Sequence, residues 1–343
     1  MNDTPQKGLT IRDVAEAAGV SITTVSRYLN GRYEAMSEET KHKIEEIIEQ
    51  LHYRPNPLAQ GLKGSQTRMI AVIVVNISYP FCVSLIRALS NAVSPSGYNI
   101  VVCETGGNGE REHQIIESLY AQRVDAMVIQ TNGENNLRLA QIAVELPVIL
   151  VDRQFDIPDV TSVITDNEES SFSLSHTLFQ EGYQNILYVT EQVANISTRI
   201  QRLTGYLKAC EQNERTPWLG WMTREDPASV QHVARTLNDS LRQDPIAVYT
   251  GNALLLEKLY PHLRTLQLSI PNQLGIATFD EPDWIHLIAP RITCIRQPVD
   301  EIGMWAAKRI LTTLKRGRVK PLSRHTIQSS IVIGDATQLR PQN

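Results

Sequence analysis

The feature that most constrains the fold is an alternation of short apolar segments with amphipathic ones, which runs from Met69 to Asp280 of this 343-residue chain. Short apolar runs bounded by turn residues predict buried strands, and apolar residues at helical spacing predict helices between them. The alternation occurs as two similar series, so it predicts two consecutive α/β lobes. The predicted strands are 69–75, 98–104, 126–130, 147–152 and 162–166 in the first series, and 186–190, 218–222, 246–250 and 274–280 in the second.

Two lobes of this design predict a cleft between them. In open parallel sheets the carboxyl ends of the strands lie at one edge, and ligands usually bind there. A Gly-rich turn at 106–109 follows one predicted strand. A single loose glycine cluster is weak support for a phosphate site, so we interpret it as a strand-to-helix turn.

Residues 10–30, TIRDVAEAAGVSITTVSRYLN, predict two short helices joined by a tight turn at Gly19. Thr10 and Asp13 have the spacing of a capping box, and Ser21 can cap the second helix. The outer face of that helix carries short hydroxyl side chains and Arg27, which suit phosphate oxygens and base edges. The segment therefore predicts a DNA-binding helix-turn-helix.

Two further segments follow before the α/β region. Residues 37–51 predict an amphipathic third helix with one apolar stripe. Residues 53–65 contain Pro55 and Pro57 and end in Gly-Ser, with apolar residues between that have no obvious core to enter. Two interpretations stay open for this stretch, a flexible linker and a short helix that becomes ordered on DNA.

Charge and cysteine content further limit the possible functions. The formal net charge is -4, and the first 65 residues hold eight Lys or Arg against nine Asp or Glu, so we expect modest nonspecific DNA affinity. The four cysteines are scattered, and the polar amino terminus lacks the features of a signal peptide. No apolar run is long enough to span a bilayer. These features predict a cytoplasmic protein with no membrane partner.

Several strings of the sequence resemble the lactose-repressor (LacI/GalR) family of bacterial transcription regulators. Near the amino terminus they are TIRDVAEAAGVS, TTVSRYLN, MSEET and YRPNPLAQGL. Further along they are YPF (79–81), LVDR (150–153), RLTGY (202–206), GIATFDE (275–281) and QPVDEIG (297–303). The resemblance implies an all-α helix-turn-helix headpiece and an α/β two-lobed periplasmic-binding-protein-like core, with two parallel sheets flanked by helices.

The resemblance also implies the domain boundaries. The DNA-binding headpiece would occupy residues 1–54 and the hinge helix or linker residues 55–65. The effector-binding and dimerisation core would occupy residues 66–343. Within it the N-lobe would comprise about 66–165 and 296–328, and the C-lobe about 166–295 and 329–343.

Roles on DNA follow from the same resemblance. It implies base contacts by Ile22, Thr23 and Arg27, and phosphate contacts by Ser21, Thr24, Ser26 and Asn30. Leu62, with Gln60 and Ala59 beside it, would enter the minor groove of the DNA where the hinge binds. An apolar side chain inserted in this way bends the duplex. The hinge departs from the family's commoner pattern at Gln60, where Arg is frequent. Gly61 adds a helix cost of about 1 kcal/mol relative to Ala.

The resemblance implies an effector site in the cleft. Its residues would be Tyr79, Phe81, Arg199, Arg202, Asn252, Asp280, Trp284 and Gln297. Structural roles stay open for three of them: an ion pair for Arg202, core packing for Trp284 and burial for Phe81. YPF followed by Cys82, the arginines of STRIQR (197–202) and DEPDW (280–284) resemble family members that sense sugar acids such as ketogluconates. A pair of guanidinium groups would suit a carboxylate. A neutral sugar is the alternative effector.

These observations predict a homodimeric regulator, most simply a repressor that a sugar or sugar-acid effector releases from double-stranded palindromic operator DNA. The alternative within the family is an effector-activated or co-repressor-dependent regulator. A sugar-processing enzyme and a sugar-binding protein without DNA function are the rival classes. The sequence shows no catalytic motif and no metal-ligand cluster, so we expect no enzymatic activity, metal or cofactor.

Overall fold

The computed structural model of the chain describes residues 9–29, 31–34, 36–53, 66–240, 244–317 and 324–339. The chain divides into two compact units, Met1–Thr67 and Arg68–Asn343. In the described residues no helix is both long and apolar enough to cross a membrane.

The first unit contains helices α1 (Ile11–Ala18), α2 (Ile22–Leu29) and α3 (Glu38–Gln50). The predicted caps are confirmed. The amide of Thr10 donates to Asp13 Oδ2 at 2.6 Å, and the hydroxyl of Thr10 donates to the same oxygen at 2.8 Å. At the start of α2, Ser21 Oγ accepts from the amide of Thr24 at 3.1 Å. These contacts satisfy amides that a helix start leaves without partners.

Small side chains allow the three helices to pack closely. Gly19 ends α1 with φ at 64°, in the left-handed region that glycine adopts without a steric penalty. The buried cluster of this unit contains Val14, Ala15, Ala18, Val25 and Ile44. Three of the four residues of the apolar stripe on α3 are only partly buried, since Ile47, Ile48 and Leu51 pack around the edge of this cluster.

The second unit begins with a six-stranded sheet, sheet 1, in the order β11-β5-β4-β3-β1-β2 among the described residues. Its strands are β1 (Met69–Val74), β2 (Asn99–Glu104), β3 (Ala126–Ile129), β4 (Val148–Val151), β5 (Thr161–Thr165) and β11 (Arg324–Ile327). Helices α4 (Pro80–Val93), α5 (Gly109–Ala121) and α6 (Asn136–Ala143) connect its first four strands, with a 3₁₀ turn at Ser94–Ser96. Asn108 caps α5, so the Gly-rich stretch is the predicted strand-to-helix turn.

Sheet 2 has the order β12-β10-β9-β8-β6-β7 in the described part of the chain. Its strands are β6 (Asn185–Thr190), β7 (Trp218–Trp221), β8 (Ile246–Thr250), β9 (Leu274–Phe279), β10 (Thr293–Arg296) and β12 (Ser330–Val332). Its helices are α7 (Asn167–Gln180), α8 (Ser197–Gln212), α9 (Pro227–Ser240) and α10 (Ala253–Thr265), with 3₁₀ turns at Asp283–Leu287 and Asp335–Thr337.

The chain crosses between the sheets at three places in the described residues. It leaves sheet 1 after β5, returns after β10 as helix α11 (Val299–Arg316), and crosses again between β11 and β12. Ile302, Ala306 and Ile310 of α11 are buried in the core of sheet 1. Each lobe is therefore completed by residues from the last part of the sequence.

The prediction of two parallel sheets is confirmed, apart from one edge strand of sheet 2. β12 pairs antiparallel with β10, while the other strand pairs of the sheet are parallel. β11 ends at the edge where the carboxyl ends of the strands meet, and two residues later β12 enters sheet 2 from that edge. It must therefore run opposite to its neighbours. The apolar pattern did not predict β10, β11 or β12 as strands.

Candidate functional site

A cleft of the second unit lies at the carboxyl ends of the strands of both sheets, where the sequence places it. It is a cavity of about 670 Å³. From sheet 1 it is lined by residues that follow β1 to β4, and from sheet 2 by residues that follow β6 to β8. These include Asn76, Tyr79, Asn132, Asp152, Arg153, Glu191, Arg199, Arg202, Arg224 and Asn252.

Arg202 is a fixed and buried element of this cavity, 5% exposed. Its Nε donates to Asn167 Oδ1 at 2.8 Å, and its Nη1 donates to the carbonyl oxygen of Gly251 at 2.9 Å. Its guanidinium lies 3.6 Å from the ring centre of Phe279. Burial lowers the pKa of Arg202, but Asp280, Tyr79, Asp152 and Tyr188 together more than offset this, so the net shift is upward. No carboxylate of the described residues lies within ion-pair distance, so the structural ion pair is not what holds this side chain.

Asp280 is buried and is not among the residues that line this cavity. Both of its oxygens are engaged, one by the hydroxyl of Tyr79 and the other by Nε2 of Gln297. Burial raises the pKa of Tyr79 well above its usual value, and the charge of Asp280 raises it further. Tyr79 follows β1 and Asp280 follows β9, so this buried hydrogen bond joins the two lobes.

Four predicted effector residues lie together in the larger cavity and four do not. Tyr79, Arg199, Arg202 and Asn252 line the larger cavity. Phe81, Asp280, Trp284 and Gln297 line a second cavity of about 650 Å³. Helix α4 begins at Pro80, which turns Phe81 into the core of sheet 1, where it is 3% exposed. Trp284 packs beside Tyr260 against the core of sheet 2, because the 3₁₀ turn that follows Asp280 carries it away from the strand ends.

Arg199 lies at the rim of the cavity and already has an acidic partner. Its Nη2 is 2.7 Å from Glu191 Oε2, and its Nη1 donates to the carbonyl oxygen of Gln192 at 2.8 Å. Asn252 donates to the same oxygen of Glu191 at 3.2 Å, while its own Oδ1 caps α10. Arg224 is likewise paired at the rim, with Glu225 at 2.5 Å.

Sequence reasoning missed two buried charged residues on the floor of the cavity, Asp152 and Arg153. They directly follow β4, within the LVDR string that supported the resemblance. Asp152 is 6% exposed and accepts from Gln130 Nε2 at 2.5 Å, and Arg153 is 8% exposed. Asp152 has φ at 66°, so the backbone turns sharply where the strand ends. Their position at the end of a predicted strand could have identified them as residues of the ligand site.

Stability should depend on pH through Asp152. Burial raises the pKa of Asp152, and Arg202 and Arg153 only partly oppose that shift. The folded chain therefore binds this proton more tightly than the unfolded chain does. The contribution of Asp152 to the free energy of unfolding falls as pH rises above about 4. We expect Asp152→Asn to gain stability over wild type as pH rises from about 4 to 7, measured by urea unfolding at each pH. A stability difference that does not change with pH would contradict this.

The headpiece presents the candidate DNA-contacting residues at its surface. Ile22 is 41% exposed, and Thr23 and Arg27 are exposed beside it on α2. The hydroxyls of Ser21 and Thr24 lie 2.9 Å apart at the start of the helix, and Ser26 is half-buried. Asn30 and the hinge residues Ala59, Gln60 and Leu62 lie outside the described residues.

Metal chemistry has no counterpart in the described parts of the chain. No group of three or more His, Cys, Asp or Glu side chains there is placed to hold a metal ion. All four cysteines are free thiols, and three are buried.

Both units match known protein families. Residues 10–56 match the family described as bacterial regulatory proteins, lacI family. Residues 67–331 match the family described as periplasmic binding proteins and sugar binding domain of LacI family. The HTH-type transcriptional regulator KdgR of Bacillus subtilis is 33% identical over 91% of this chain and 93% of its own length. The HTH-type transcriptional regulator PtxS of Pseudomonas aeruginosa is 33% identical over 98% of both chains.

Solved structures show the same fold. The lac repressor dimer bound to operator and the anti-inducer ONPF matches with a TM-score of 0.81. The match covers 97% of this chain and 100% of that one, at 23% sequence identity. At that identity the likeness establishes the fold alone.

Proposed function

We propose that this chain, which belongs to the LacI family of bacterial regulatory proteins and is a DNA-binding transcription regulator, acts as a repressor that a small effector releases from its operator. The effector would be a sugar or a sugar acid, and the operator a palindrome bound by a homodimer. The cavity between the two sheets is the observation that carries the proposal. Its polar floor and rim come from both lobes, so a ligand there contacts both.

The proposed release follows from that geometry. A ligand that binds one orientation of the lobes better than another shifts the equilibrium between them. Moving a two-state equilibrium from 1:99 to 99:1 requires a difference of about 5.5 kcal/mol in ligand binding. The buried hydrogen bond between Tyr79 and Asp280 joins the lobes beside the cavity, so its environment would change with their orientation.

We assign reading of the operator to α2. Ile22, Thr23 and Arg27 would contact base edges, and Ser21, Thr24, Ser26 and Asn30 would contact phosphates. Leu62, with Gln60 and Ala59, would enter the minor groove at the centre of the palindrome. The structural similarity to a repressor dimer bound to its operator supports two headpieces on a two-fold site.

The test of this function is operator binding by the full chain. Sites selected from random duplexes would be labelled, and binding measured by fluorescence anisotropy with and without a panel of sugars and sugar acids. We expect palindromic sites, and weaker binding when an effector is present. Tighter binding with an effector would instead establish a co-repressor-dependent regulator. Failure to select any sequence would reject the function.

Arg27→Ala should relax base preference at one position of each half-site. A guanidinium can donate two hydrogen bonds to guanine, and losing such a contact costs about 1–3 kcal/mol. Competition against operators with single base changes would measure the effect. Arg12→Ala is the matched control, since Arg12 is also exposed but lies on α1. Unchanged base preference in Arg27→Ala would remove Arg27 from the reading surface.

A further inference from the structure

We propose that Arg153 is the receptor for a carboxylate of the effector, so that the cavity selects sugar acids over neutral sugars. This inference rests on the proposed function and assigns its ligand class to one side chain. Arg153 follows β4 and lies on the floor of the cavity with Asp152 and Arg202.

The four arginines that line the cavity differ in how their hydrogen-bonding groups are used. Arg199 and Arg224, at the rim, are paired with Glu191 and Glu225. Arg202, on the floor, donates to two oxygens at 2.9 Å or less and stacks on Phe279. In the described part of the chain Arg153 makes one long hydrogen bond, from Nη1 to the carbonyl oxygen of Thr131 at 3.3 Å.

The Nε of Arg153 is a buried donor with no partner among the described residues. A guanidinium carries five N–H groups and always keeps its charge, so burying one without acceptors costs free energy. Unpaired groups of this kind are rare in folded proteins and call for a partner. A ligand carboxylate supplies two charged acceptors in the geometry of the guanidinium edge.

The surrounding charges point to the same residue. Burial lowers the pKa of Arg153; Asp152 only partly counters this, and the positive charge of Arg199 adds to the lowering. The net shift of the pKa of Arg202 is upward, because Asp280, Tyr79, Asp152 and Tyr188 together outweigh its burial. The positive charge of Arg199 acts on Arg153 in the same cavity, and this favours an anion beside Arg153.

The rest of the floor suits hydroxyl groups. Asp152 is an acceptor, and Oδ1 of Asn132 is a buried acceptor without a partner in the described part of the chain. Acceptors of this kind bind the O–H groups of a polyhydroxylated molecule. One cationic corner beside neutral and acidic acceptors fits a ligand with a single acidic end and several hydroxyls.

The test compares ligands and variants by titration calorimetry on the full chain. The probes are gluconate and 2-ketogluconate, glucose and fructose as uncharged counterparts, and glucose 6-phosphate as a non-carboxylate anion. We expect wild type to bind a sugar acid and to discriminate against the uncharged counterparts. Arg153→Gln should weaken that binding by about 30-fold or more, the scale of removing one partner of a buried charge pair. Arg153→Lys should retain part of it, and Arg235→Gln, an exposed arginine on α9, should bind as wild type does.

A second measurement separates ligand binding from a structural role. Because Arg153 makes one long hydrogen bond among the described residues, Arg153→Gln without ligand should melt at or above the wild-type temperature, and a clear fall would overturn the proposal. Equal sugar-acid binding by Arg153→Gln would also overturn it, as would a wild-type chain that binds only neutral sugars, only glucose 6-phosphate, or no probe at all. Operator binding without ligand reports on the proposed function separately, and Arg153→Gln should retain it.

Discussion

Gly205→Val is expected to remove a large part of the stability of the effector-binding unit. Gly205 lies on α8 where that helix crosses α7, and a Cβ atom there would lie 2.2 Å from the carbonyl oxygen of Glu168. It would also lie 2.8 Å from the amide nitrogen of Phe172. These are backbone atoms, so no side chain can rotate away and the two helices must separate.

The expected loss is about 3 kcal/mol or more, at the upper end of what overpacking a core costs. Valine has a higher helix propensity than glycine. Helix propensity therefore opposes the expected loss of stability and cannot explain it. Urea unfolding of the full chain measures the change. Leu207→Val, at a 37% exposed position of the same helix, is the control and should change stability by less than about 1 kcal/mol. A Gly205→Val chain within 1 kcal/mol of wild type would show that the helices can move apart cheaply.

Arg202→Met should abolish effector binding and lower stability together. The change keeps an apolar chain over Phe279 but removes both donors, which leaves Asn167 Oδ1 and the carbonyl oxygen of Gly251 unsatisfied. It also removes a charge that favours the ionised form of Asp152. Each buried group left without its partner costs about 1–3 kcal/mol, so we expect a total loss of about 3 kcal/mol.

Urea unfolding and calorimetric titration of the same preparation measure the two effects of Arg202→Met. Arg199→Met is the comparison, because it removes a partly exposed rim ion pair, and such pairs contribute about 1 kcal/mol or less. If both variants lose the same small amount of stability, the hydrogen bonds of Arg202 do not stabilise the floor of the cavity more than a rim ion pair does.

The elements that local patterns determine could be predicted from the sequence. Thr10, Asp13 and Ser21 cap their helices as predicted, because a cap depends on residues three positions apart. The strands of both series were predicted because they contain short apolar runs, including β2 and β7, which are only partly buried. β11 and β12 were not predicted, since both are short edge strands with no fully buried residue.

The cavity could be located from the sequence, but its chemistry could not. The strand ends gave its position and the resemblance supplied Tyr79, Arg202 and Asn252. Whether an arginine is free depends on acids distant in sequence. No local pattern shows that Glu191 pairs with Arg199, or that Nε of Arg153 has no partner among the described residues. The same limit applies to Asp280, whose two oxygens are taken by residues far from it along the chain.

The three crossings between the lobes also have a consequence for biosynthesis. The last strand of sheet 1 and the helix that fills its core come after all but one strand of sheet 2. At about 5–20 residues per second, a ribosome needs on the order of ten seconds between the end of β5 and the emergence of β11. During that interval the amino-terminal lobe lacks β11 and α11, so one edge of its sheet is open and its core is incomplete. The nascent chain is then most exposed to aggregation and chaperones, and a prematurely terminated product would lack both finished lobes.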